Sequence, residues 1–303
     1  MLIKNVSGAG LGKDGADYQL AGNLSSTATG RDTGLTGVFD GNGYTISNAI
    51  VPSRGIFTFI KGGLVKDIGF KNMTLAGYYS CLLAHQFTYK GSNTVDNAGW
   101  IMNLYVEDTN VSYTSSNGDY GLLFQNQLYG TVQNFVVKHT LNDTEKAKMR
   151  AGKRSGLFAS QYNYRPQTGG VNAHLKNWIV IGDLPIAYDN STNASWNKFV
   201  LGKNMLQTNA DGELELINPT AFQFVNELFT QTTGDPATRV WNPVYNSSTD
   251  TLHTIDEAQF VRQYVDDAAL AADKAGCADL LATFTSPYWV ISEDGTIAWA
   301  SAI

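Results

Sequence analysis

One short pattern constrains this chain more than any other: an apolar residue, any residue, Asn or Asp, then two apolar residues flanking one of any type. It reads Ile46-Ser47-Asn48-Ala49-Ile50-Val51, Val65-Lys66-Asp67-Ile68-Gly69-Phe70 and Ile101-Met102-Asn103-Leu104-Tyr105-Val106. It returns as Val132-Gln133-Asn134-Phe135-Val136-Val137 and Leu175-Lys176-Asn177-Trp178-Ile179-Val180. A second element precedes most copies, as Gly55-Ile56-Phe57, Gly121-Leu122-Leu123-Phe124 and Gly156-Leu157-Phe158. The Asn or Asp positions lie 19, 36, 31 and 43 residues apart. That irregularity excludes a propeller or a helical solenoid. It suits a parallel β-helix, in which turns of about 20 residues stack and loops of any length leave the corners. A β-sandwich with chance similarity is the competing architecture.

Alternation within each strand sends every second side chain inward. The Asn or Asp then marks a corner, because a short polar side chain bonds neighbouring backbone and tolerates left-handed geometry. Stacked turns align these residues into a ladder of amides. One turn cannot bury its own apolar face, whereas five in register can.

The segment Val38-Phe39-Asp40-Gly41-Asn42-Gly43-Tyr44-Thr45-Ile46-Ser47-Asn48, with Gly55-Ile56-Phe57 and Gly62-Gly63-Leu64-Val65-Lys66-Asp67-Ile68-Gly69-Phe70 after it, resembles the repeat of bacterial GLUG-type surface proteins. The resemblance is clear over about residues 18–75 and fades to single elements by about 183. It implies a pectate-lyase-like, right-handed β-helix in an exported or surface setting, with Asp-Gly-Asn-Gly as a turn. It implies no particular reaction.

Charge divides the chain. Residues 1–219 carry 18 Lys and Arg against 16 Asp and Glu, while residues 220–303 carry 3 against 11. The texture changes at the same place. Phe222, Val225, Leu228 and Phe229 fall at helical spacing within Ala221–Phe229, and an amphipathic stretch runs from Asp256 to Phe284, opened by Thr254-Ile255-Asp256-Glu257. The chain closes on a hairpin signal turning at Asp294-Gly295. The expected fold is therefore all-β: a right-handed parallel β-helix with an N-terminal cap over 1–219, and a small acidic α+β capping domain over 220–303. That domain is expected to dock on the end of the helix and blunt its last edge.

Enzyme signatures are sparse. Glycosidases need two carboxylates about 5 to 9.5 Å apart, yet Asp40, Asp67 and Asp183 are scattered in sequence and Glu107-Asp108 is the only adjacent acidic pair in the helix. His85, His139, His174 and His253 are isolated, without a partner at metal-ligand spacing. The expectation is no catalytic residue, no cofactor and no metal site. A net charge of −6 argues against nucleic acid as a partner, and no run of about 18 apolar residues points to membrane insertion. Two cysteines, Cys81 in an apolar run and Cys277 in a helical stretch, are expected as buried thiols.

Binding has more support. Tyr89, Tyr162, Tyr164 and Arg165 fall at strand ends or in loops, and Gln161-Tyr162-Asn163-Tyr164-Arg165 combines aromatic, amide and guanidinium groups suited to a glycan face or a protein anchor. Lys146 to Arg154 places five positive charges in nine residues, facing solvent or an acidic neighbour. The start of the chain shows no secretory signal. The expectation is a non-enzymatic structural or attachment protein outside the cell, with protein partners or self-association, including a homotrimer, and a surface glycan as candidate contacts. A phage fibre, spike or decoration protein is favoured if Met1 is the native start. A bacterial cell-surface adhesin and a polysaccharide-degrading lyase or hydrolase are the alternatives.

Overall fold

The computed structural model describes residues 2–3, 17–25, 34–51, 54–77, 79–87, 99–112, 119–121, 123–127, 130–139, 142, 144, 154–156, 159–162, 173–182, 187–189, 199–201, 206–208, 214–216, 227–231, 241–243, 261–264 and 266–300. These residues are mostly β, with two short helices among them.

The dominant feature is a parallel sheet. Its strands run in the order Leu2–Ile3, Tyr18–Leu20, Val38–Asp40, Leu64–Lys71, Trp100–Glu107, Gly130–Lys138, Ala173–Ile181 and Val261–Tyr264. Every pairing along this path is parallel. A second parallel sheet orders Phe57–Ile60, Ala84–Phe87, Phe124–Gln127 and Ala159–Tyr162. A third orders Ile50–Val51, Thr74–Leu75 and Asn110–Val111. The chain passes from the second sheet to the first and on to the third, then repeats. Parallel neighbours need a long crossover, which is usually a helix. Here the strands of the other sheets supply it.

Register stacks like on like. Val65, Ile101 and Val132 align, as do Ile68, Leu104, Phe135 and Trp178, and Phe70, Val106, Val137 and Val180. All of these are buried, each contributing about 1.5–3 kcal/mol. Phe135 and Trp178 meet edge to face at 4.5 Å, and the Trp178 Nε1–H donates to the Val132 carbonyl at 3.2 Å. Cys81 and Cys277 are both buried thiols.

The corners are as expected in chemistry and richer in number. Asp67, Asn103, Asn134 and Asn177 hold φ of 51°, 55°, 56° and 57°. The left-handed residue interrupts the two-residue alternation, which is why Val65 and Ile68, three apart, both face inward. Asn48 belongs to a different column from the one its motif suggested. Ser47 pairs with Lys71, so Asn48 aligns with Asn72, not Asp67. Asn72 and Asp108 are also left-handed, at φ 51° each. This second column is joined through the backbone: the N–H groups of Asn48, Asn72, Asp108, His139 and Gly182 donate to the carbonyls of Lys71, Glu107, Lys138, Ile181 and Tyr264 at 2.8–3.0 Å. In each repeat the two corners lie five residues apart, as Gly43 and Asn48, Asp67 and Asn72, Asn103 and Asp108.

Three expectations for the C-terminal part are corrected. Within Ala221–Phe229, residues 227–229 are strand: Glu227–Gln231 pairs antiparallel with Phe199–Leu201 and Trp241–Pro243, so cross-strand pairing of Leu228 and Phe229 overrides their helical spacing. The expected helix over 256–284 begins late. Val261–Tyr264 is a strand that extends the main sheet beside Ala173–Ile181, and helices occupy Asp267–Ala272 and Ala278–Leu281. Asp266 is the N-cap, its side chain accepting from the Ala269 N–H at 2.8 Å. Residues 254–257 lie outside the described residues. The closing hairpin pairs Trp289–Ile291 with Ile297–Trp299, and Gly295 at φ 94° permits the turn.

The third correction is positional. Of the segment expected to dock on the end of the stack, Val261–Tyr264 does add the last strand of the main sheet, while residues 266–300 lie along its flank. Tyr105, Val136 and Ile179 point outward from consecutive strands, and they form one buried cluster with Leu270, Leu280, Phe284, Trp289, Ile297 and Trp299. An outward apolar row exposed on three strands needs a cover, and this segment supplies it.

Candidate functional site

The densest polar arrangement lies where the first corner column meets the C-terminal segment. The Asn103 Nδ2 donates to Asp67 Oδ1 at 2.8 Å, the Asn134 Nδ2 to Asn103 Oδ1 at 3.2 Å, and the Asn177 Nδ2 to Asn134 Oδ1 at 3.0 Å. Asn103 and Asn134 thus each accept from the next strand and donate to the previous one, with Asp67 as the terminal acceptor. The left-handed backbone brings these short side chains out at the corner, and parallel register stacks them.

The C-terminal segment reads this column at Asp67, Asn103 and Asn134. Ser286 Oγ donates to Asp67 Oδ1 at 3.1 Å, and Trp289 Nε1 donates to Asn103 Oδ1 at 3.4 Å. The Asn134 Nδ2 reaches the Thr283 carbonyl at 3.1 Å. At the near end, the Tyr288 hydroxyl donates to Asn42 Oδ1 at 3.3 Å and Trp299 Nε1 to the Gly43 carbonyl at 3.1 Å. Asp-Gly-Asn-Gly is therefore a turn that seats two aromatic rings. A Cβ at Gly43 would fall 2.2 Å from Tyr288 Cδ1, and one at Gly69 would fall 2.8 Å from Trp299 Cδ1.

Lys66 joins two carboxylates that are distant in sequence. Its Nζ lies 2.9 Å from Asp40 Oδ2 and 3.6 Å from Asp67 Oδ2. The hydrogen bond to Asp40, with the charges of Asp40 and Asp67, holds the Lys66 ammonium above its ordinary range despite partial burial. Tyr288 is also raised, by burial first and then by the Asp67 and Asp40 charges. Chemically this cluster is committed: Asp67 is occupied by Asn103, Ser286 and Lys66. A lysine held charged between two carboxylates is a poor base.

Glu107 and Asp108, the adjacent acidic pair, face different partners. Glu107 Oε2 lies 3.1 Å from Lys71 Nζ, and Asp108 Oδ1 lies 3.6 Å from His139 Nδ1. Lys138 pairs with Asp267, tying the main sheet to the first turn of the Asp267–Ala272 helix. Among the described residues, no group of three or more His, Cys, Asp or Glu is placed to hold a metal ion. No described helix is long and apolar enough to cross a membrane.

Of the binding residues expected from sequence, Tyr162 ends the Ala159–Tyr162 strand, paired with Gln127. Tyr89, Tyr164 and Arg165 lie outside the described residues, as do Asp183 and the basic stretch from Lys146 to Lys153. The structure instead brings forward Lys66, Asn72, Asp108, Ser286 and Tyr288. The signal for the second column is present: Phe70-Lys71-Asn72-Met73-Thr74-Leu75 restates the motif five residues after one copy, and Val106-Glu107-Asp108-Thr109-Asn110-Val111 does so after the next with Thr109 at one apolar position. Nothing in sequence linked Ser286 or Tyr288 to this corner.

The class that this architecture defines is a mostly-β protein built on a parallel sheet with a stacked amide corner. Comparison with protein-family models, with the curated proteins and with solved structures finds no match.

Proposed function

We propose that the chain is a right-handed parallel β-helix with an acidic α+β segment fastened along its side, and that it serves as a non-enzymatic structural or attachment protein outside the cell. The reading that fits best is a phage virion component, a fibre, spike or decoration protein. Tyr89, Tyr162, Tyr164 and Arg165 would contact a host glycan or a neighbouring protein. The observation that carries this is the fate of the corner column. Its carboxylate and amides are spent on one another and on the C-terminal segment, which suits a stiff scaffold and leaves no acid–base pair free for chemistry there. The likeness of Val38–Phe70 to surface-protein repeats favours a bacterial cell-surface setting as the second reading.

The test combines chemistry and context. Incubation with a panel of neutral and acidic polysaccharides is expected to release neither reducing ends nor unsaturated products. Appearance of either overturns the non-enzymatic reading. Tail and capsid genes beside this one are expected for a virion protein, whereas anchoring and secretion genes select the cell-surface reading.

A further inference from the structure

Trp100 stands 45% exposed on the main sheet, and we infer that the row around it is a platform for a neutral oligosaccharide chain. This rests on the attachment reading but names a site other than Tyr89, Tyr162, Tyr164 and Arg165. The corner column divides the outer side of the main sheet. Beyond it, Tyr105, Val136 and Ile179 are covered by the C-terminal segment. Before it, Leu64 and Trp100 align in one row, and Asp40, Lys66, Met102 and Gln133 align in the next. Ile101 is buried beneath, so Trp100 and Met102 share the outer side.

The chemistry of this row selects among occupants. Trp100 stands alone as a large exposed hydrophobe in these rows, because the others among the described residues are Ile50, Val290 and Ile291. A protein partner would require a contiguous apolar patch at the core of its interface. Nucleic acid or an acidic glycan would require an excess of cations, yet Lys66 is matched by Asp40 and Asp67. A neutral pyranose has an apolar CH face and a hydroxyl rim. The indole takes the face, while the third N–H of the Lys66 ammonium, beyond those paired with Asp40 and Asp67, and the Gln133 amide supply donors and an acceptor for the rim. Neighbouring strands lie about 4.8 Å apart, so Lys66, Met102 and Gln133 repeat at close to the length of one sugar unit. A chain lying across the strands would stay in step with them.

The experiment uses the full chain with cellohexaose, maltohexaose, laminarihexaose and chitohexaose, titrated calorimetrically. Binding of at least one is expected. Trp100→Ala should weaken it at least about tenfold, and Trp100→Phe should restore it to within a few-fold. Trp100 is exposed, so the thermal midpoint should stay unchanged, separating lost binding from lost fold. Equal affinity for wild type and Trp100→Ala overturns the platform, as does no binding of any hexamer. If binding is instead lost in a Tyr89→Ala, Tyr162→Ala, Tyr164→Ala and Arg165→Ala variant alone, the platform fails and the attachment reading stands.

Discussion

Asn134 and Thr283, 149 residues apart, share a hydrogen bond: the Asn134 Nδ2 donates to the Thr283 carbonyl at 3.1 Å while also donating to Asn103 Oδ1 at 3.2 Å. One nearly buried amide therefore joins two strands of the main sheet to the segment that covers it. Its Oδ1 accepts from Asn177, so the side chain is satisfied on both sides.

Replacing it should expose that dependence. Asn134→Ala strands the Asn177 donor and the Thr283 acceptor, and it forces a Cβ-bearing residue without a compensating side chain to φ 56°. A loss of about 2–4 kcal/mol is expected from lost hydrogen bonds and left-handed strain. Asn134→Gly removes the same bonds but relieves the strain, and should be the milder variant by about 1 kcal/mol. Urea unfolding followed by circular dichroism checks both the size and the order. Equal losses would mean that the backbone conformation contributes nothing.

Gly43 tests the seating of the hairpin. At φ 78°, with Tyr288 ring carbons 2.2 Å from where its Cβ would lie, Gly43→Ala is expected to cost about 2–4 kcal/mol from combined strain and overpacking. Adding Tyr288→Ala should recover the steric part only, so the two changes should be non-additive in a double-mutant cycle. Gly22→Ala, with nothing within 4 Å of its Cβ, should fall within about 0.5 kcal/mol of wild type.

Tyr105 predicts an alkaline limit. Burial, followed by the Glu107 charge, pushes its phenol well above the ordinary value of 10.0. Because the folded state holds the proton more tightly than the unfolded state, its contribution is fully present below pH 10 and is lost as the pH rises beyond it. Stability measured from pH 9 upward should fall in wild type and fall less steeply in Tyr105→Phe. Parallel slopes would place the alkaline loss elsewhere.

Asp294 predicts an acid effect confined to the hairpin. Hydrogen bonds from Ser292 and from the backbone and side chain of Thr296 lower it to about 2 from 3.8. The folded state favours the carboxylate, so this contribution is present above pH 3.8 and disappears as the pH falls towards 2. Carboxyl NMR titration should place its midpoint near 2, and Asp294→Ala should perturb the shifts of residues 289–299 while leaving those of the main sheet in place. An Asp294 midpoint at the ordinary value would show that the turn bonds do not form.

By itself the sequence determined the corner chemistry and the inward rows. Val65, Ile68 and Phe70 are placed by a local rule: alternation interrupted by one left-handed Asn or Asp. That rule depends on neighbours along the chain and is therefore legible. The rule alone does not separate the two columns, because Asn72 and Asp108 overlap the end of a preceding copy, and Asn48 follows the corner at Gly43 in the same way. The tertiary structure alone decided what happens outside the stack. Tyr105, Val136 and Ile179 read simply as outward-facing, and nothing local says that Phe284, Trp289 and Trp299 will cover them while Trp100 stays in solvent. Nor does spacing reveal that Lys66 will draw Asp40 and Asp67 together. Such pairings join residues far apart in sequence through burial and register, which act only once the strands have stacked.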